Sequence, residues 1–78
     1  MELELRDKEG NFMFSAVGSF ANVFANYLQN EPRITLEDKI LNGKKFRCFC
    51  NKTNETISGK NDFVSFIIKP GSYVKIMF

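Results

Sequence analysis

The sequence predicts an α+β fold, an open and mainly antiparallel sheet in β-α-β-β-α-β order with both helices on one face. Three observations carry that reading. Apolar and polar residues alternate in 2–7, in 34–41 and again in 72–78. A 3.6-residue apolar period is most regular between Phe20 and Leu28. Asn42-Gly43 sits between two extended runs, where both residues tolerate the positive φ of a type I′ hairpin turn.

Each element follows from its own pattern. In the first strand Leu3 and Leu5 take one face, and Glu2, Glu4 and Arg6 the other. Asp7-Lys8-Glu9-Gly10-Asn11 is a turn cluster, and Phe12-Met13-Phe14 is an apolar run that suits a short second strand. Phe20, Val23, Phe24, Tyr27 and Leu28 then recur at i, i+3, i+4, i+7 and i+8, the core stripe of an amphipathic helix spanning Ala16 to Gln29. Ser15 or Ser19 can cap it, and Pro32 enforces its end. Ile34 and Leu36 begin the next strand, with Arg33, Thr35 and Glu37 opposite. Lys44 to Asn51 returns after the turn with Phe46, Cys48 and Cys50 on one face. Residues 51–61 are polar and read as a loop, with a short strand at Glu55 to Ser58. Phe63, Val64, Phe66 and Ile67 have the spacing of a short helix over Asp62 to Ile68, capped by Asn61 or Asp62. Pro70-Gly71 turns into a last strand, with Val74, Ile76 and Phe78 on one side and Tyr73, Lys75 and Met77 on the other.

Residues 1–78 make one domain with no repeat, linker or low-complexity segment. A chain of this length buries only about 60–65% of its unfolded surface, so its stability margin is thin. Nine Phe residues answer that need, because Phe buries a large area with no polar atom to satisfy. Two short helices leave part of a four-strand sheet bare, and bare apolar surface generally marks an interface. The expectation is a homodimer, with the 51–61 loop folded over the sheet as the competing solution.

Composition argues against several chemistries. The chain has no His, the usual general base near neutral pH and the commonest metal ligand. Cys48 and Cys50 are the only cysteines, too few for a metal cage without His and too near one another on one strand face for an easy disulfide. They read as small buried hydrophobes in a reducing compartment. The N-terminus lacks the apolar core of a signal peptide, and no apolar run can span a bilayer, so the reading is cytoplasmic with no membrane partner. No catalytic set and no cofactor are expected. The net charge of +2 does not by itself indicate nucleic acid. Even so, Lys44, Lys45, Arg47 and Lys52 cluster around Phe49, and basic and aromatic residues together can pair phosphates and stack bases.

In order and spacing the chain resembles HPr, the histidine-containing phosphocarrier family of the sugar phosphotransferase system. Ile34-Thr35-Leu36-Glu37 and Asn42-Gly43-Lys44 look like that family's second strand and hairpin. Phe63 to Ile76 looks like its second helix, turn and fourth strand. The family's Gly-x-His-Ala-Arg-Pro motif corresponds to Phe14-Ser15-Ala16-Val17-Gly18-Ser19 here, with no His and no Arg. The third helix of that family has no counterpart before Phe78. The resemblance implies a regulatory module without carrier chemistry, with Ser58 as the nearest counterpart of a regulatory phospho-acceptor. The functional expectation is a non-enzymatic protein-binding or regulatory module, with a small nucleic-acid-binding domain as the alternative.

Overall fold

A computed structural model describes residues 1–60 and 65–77. The elements run β1 (Glu2–Arg6), β2 (Phe12–Val17), α1 (Ser19–Asn30), β3 (Ile34–Leu41), β4 (Lys44–Asn51), β5 (Ile57–Lys60), β6 (Ser65–Ile68) and β7 (Tyr73–Met77). Five strands form an antiparallel sheet in the order β2-β1-β7-β4-β3, and β5 pairs with β6 in a separate hairpin.

This corrects the two-helix, β-α-β-β-α-β expectation. One helix is described, and the second helix is replaced by strand β6. The reason is visible in its burial. Phe66 and Ile68 are buried while Ser65 and Ile67 are exposed, a two-residue period. The spacing of Phe66 and Ile67 fitted a helix only in combination with Phe63 and Val64. Those two residues lie outside the described ones, as do the expected cap at Asn61 or Asp62 and the strand position of Phe78.

The β3–β4 hairpin has the expected turn. Asn42 (φ 52°) and Gly43 (φ 78°) both take positive φ, and Leu41 pairs with Lys44. The β1–β2 loop is held by Asp7, whose carboxylate accepts from the backbone N–H of Glu9 and of Asn11, both at 2.9 Å. Those bonds, the one from Asn11 first, keep its carboxyl below the usual range.

The helix starts three residues later than Ala16, because Ala16 and Val17 complete β2. Gly18, at φ 62°, makes the turn between them, and no side chain caps the first turn. The buried stripe is rotated from the expected one. Phe24 and Leu28 are buried as expected, with Ala21 and Ala25 beside them. Val23 and Tyr27 are half-buried and Phe20 is 50% exposed. Small Ala side chains let the helix approach the sheet, which brings Phe24 within 5.6 Å of Phe14 on β2 and 4.7 Å of Phe66 on β6.

A five-strand sheet is about 19 Å wide, and one helix with its side chains covers about 10 Å. The β5–β6 hairpin covers the remainder. Ile57, Phe66 and Ile68 join Leu3, Leu5, Ala16, Phe49, Val74 and the helix residues in one core. Of the expected 51–61 lid only Ile57 on β5 joins this core, and Phe66 and Ile68 of β6 supply the rest of the cover. Gly59 is required in the lid, since a Cβ there would lie 2.5 Å from the Phe66 ring and 2.8 Å from the Tyr27 ring. Buried Asn51 ties the lid down. Its amide donates to the carbonyls of Ile68 (3.0 Å) and Glu55 (2.9 Å), and its Oδ1 accepts from the Thr53 hydroxyl (2.6 Å).

Candidate functional site

Directly opposed residues of an antiparallel pair share a face, so the register sorts the sheet into two sides. Leu3, Leu5, Phe49, Val74 and Ile76 face the helix and lid. Glu4, Lys75, Cys48 and Glu37 form one row of the opposite, open side, and Arg6, Tyr73, Cys50 and Thr35 form the next.

This division separates the basic and aromatic residues expected to act together. Lys45, Arg47 and Phe49 point to the helix side, while Lys44 pairs with Leu41 on the open side. Phe49 is 2% exposed and belongs to the core, so it presents no ring face to a base. Lys45 lies 3.5 Å and Arg47 4.0 Å from the Asp38 carboxylate, and Lys52 reaches Glu37 at 3.1 Å. The five residues do not form one surface. Ser58 is exposed on β5, opposite Ile67, and its carbonyl accepts from the Tyr27 hydroxyl at 3.2 Å. It stands within a strand, whereas the resemblance places its counterpart before a helix.

The open side is organised by its charges. Glu4 receives Arg6 at 2.6 Å and Lys75 at 3.6 Å, and Lys75 also lies over the Phe46 ring at 4.2 Å. Lys39 lies over the Tyr73 ring at 5.0 Å. Beneath these side chains Cys48 and Cys50 are buried. Burial pushes the Cys48 thiol up to about 11 and raises that of Cys50, so both stay protonated and unreactive near neutral pH. A depression of about 540 Å³ runs over this side between the β1–β2 loop and the β3–β4 turn, bordered by Arg6, Lys8, Lys39 and Tyr73. Its cations are largely engaged by the pairs just described.

The remaining feature is β2, an outer strand of the sheet. Phe12-Met13-Phe14-Ser15-Ala16-Val17 contains no charged residue. Phe12, Met13 and Val17 are 54%, 53% and 58% exposed. Phe12 pairs with Arg6, whose guanidinium lies 5.8 Å from the ring centroid. Leu5 pairs with Phe14, so Met13 is the extra residue of a bulge. The apolar run at 12–14 is legible in the sequence, but its place at a sheet edge depends on the strand order.

Among the described residues no helix is long and apolar enough to cross a membrane, and no group of three or more Cys, Asp or Glu side chains could hold a metal ion. No family model, curated protein or solved structure matches the chain.

Proposed function

We propose that this chain is a non-enzymatic protein-binding module, and that it binds by adding a partner strand along β2. One observation carries the reading. β2 is an outer strand without a single charge, and half or more of the surface of three of its apolar side chains is exposed. An outer strand turns every second N–H and C=O outward, which templates a further strand. Natural sheets blunt such edges with charge, proline or bulges; β2 has the single bulge at Met13 and neither charge nor proline. Strand addition draws affinity from main-chain hydrogen bonds and specificity from alternate side chains. With two unpaired, buried thiols, the module belongs in a reducing, cytoplasmic setting. The reading takes nothing from the phosphocarrier resemblance.

The test compares proteins captured from native lysate by the wild type, Met13→Lys and Ile40→Lys. Met13 lies on β2, and Ile40 is the most exposed large apolar residue of β3, the other outer strand. Partners lost with Met13→Lys and kept with Ile40→Lys support the reading. An identical set from all three overturns it.

A further inference from the structure

We infer that the strand added to β2 is β2 of a second copy of this chain, paired antiparallel about a two-fold axis at Ser15. The inference rests on the edge-binding reading and names its occupant.

A two-fold axis perpendicular to the sheet keeps the helix side of both copies on the same side. Opposed residues then share a face, so centring the axis on Ser15 sets Met13 against the partner's Val17 and Val17 against the partner's Met13. Phe14 falls opposite the partner's Ala16 on the helix side. The two exposed residues that flank Ser15 thus cover each other in both halves of the seam, and each contact occurs twice, as an isologous interface requires. Centring on Phe14 sets Met13 against the partner's Ser15 and leaves Val17 against Asn11 of the partner subunit, which covers less apolar surface.

Charge agrees with the Ser15 register. Glu2 pairs with Val17, and Arg6 lies beside the bulge at Phe12 and Met13. Each outer row therefore begins on Glu2 and ends on Arg6 of the partner subunit. At the axis the nearest acid is Glu4, already compensated by Arg6 and Lys75. The other edge fails the same test. A two-fold axis at Glu37, Asp38 or Lys39, the middle of β3, sets that charge against its own image.

The size of the contact sets its strength. Six residues make an edge of about 20 Å. A ribbon of that length falls short of the ~1,200 Å² of a standard stable interface, which points to micromolar association.

Analytical ultracentrifugation from low to high micromolar concentration tests the association, with oxidative cross-linking of cysteine variants for the register. The expected result is a reversible shift from the 9.0 kDa monomer toward twice that mass. Met13→Lys should raise the dimer dissociation constant about tenfold or more, and Ile40→Lys should leave it within about twofold. Ser15→Cys should cross-link to itself, and Met13→Cys should cross-link with Val17→Cys in a mixture. Thr35→Cys, exposed on β3, should not. A monomer throughout, with lysate partners still lost in Met13→Lys, overturns the second copy as occupant and leaves the edge reading standing. A dimer unaffected by Met13→Lys overturns the second copy as the occupant of β2, and the lysate comparison then decides the edge reading. A dimer weakened by Met13→Lys without a Ser15→Cys cross-link overturns the register.

Discussion

The two outer strands of the sheet differ in charge far more than in exposure. β3 exposes apolar surface freely: Ile40 is 75% exposed, more than any apolar side chain of β2. Yet β3 carries Glu37-Asp38-Lys39 at its centre. Glu37 holds Lys52, Asp38 holds Lys45, and Lys39 lies over Tyr73. A strand approaching that edge must displace or desolvate a charge at each of three consecutive residues. β2 imposes no such cost. Exposed apolar area alone therefore does not distinguish the two edges; the surrounding charge does.

The largest effect should come from the support under β2. Phe24 is fully buried and its ring packs, tilted, against Phe14 of that strand and Phe66 of the lid. Phe24→Ala should cost about 3–5 kcal/mol, the range for removing a buried Phe. In a domain this small that approaches the whole stability margin, and thermal unfolding should show a broad, early transition. An unchanged midpoint would mean that β2 is held from elsewhere.

A smaller loss is expected on the β3 side. Asn51 pairs with Ile34 and satisfies the carbonyls of Ile68 and Glu55. Asn51→Ala removes its donor from both, leaving the Glu55 carbonyl only the Thr53 hydroxyl at 3.2 Å, and should cost about 1–3 kcal/mol. Amide exchange should rise first in β5 and β6, with β2 and any association through it retained. Loss of association in this variant would show that the two edges are coupled and would break the comparison.

Met13→Lys and Ile40→Lys should each leave stability within about 0.5 kcal/mol, because both sites are exposed. The comparison requires that they differ in association while agreeing in chemical denaturation. A clear destabilisation by Met13→Lys would turn its effect on binding into a folding effect.

The smallest expected effect is one of pH. The Thr35 hydroxyl and then the Lys52 ammonium hold the Glu37 carboxyl below its ordinary value of 4.5. A depressed folded value means that the contribution of Glu37 to stability is complete above 4.5. It is lost as pH falls through the lowered value. An NMR titration should place the Glu37 midpoint below 4.5, and Thr35→Val should move it upward. A midpoint at or above 4.5 would remove the charge pairing from the account of the β3 edge.

Local pattern made several elements readable. The alternation of β1 and β7, the Asn42-Gly43 hairpin, the helix and its end before Pro32 all follow from residues within a few positions of one another. Two kinds of feature do not. A four-residue segment such as Ser65–Ile68 cannot show whether its period is 2 or 3.6, and only packing on Phe24 and Tyr27 settles it. Strand order is non-local: β7 lies between β1 and β4, and that placement makes β2 an edge. Arg47 and Phe49 share a face opposite Cys48, as alternation along β4 requires, but local pattern could not show that this face is the core side at Phe49 or that Lys44 lies on the other side of the sheet. The β2 residues were visible as an apolar run. Their availability depends on which strands pair around them.

Residue-resolved hydrogen exchange at increasing protein concentration tests the central claim most directly. The expected result is that the amide of Ser15 gains protection as concentration rises, while those of Leu36 and Asp38, which point outward from β3, do not change. Protection rising equally on both strands, or on β3 alone, would contradict it.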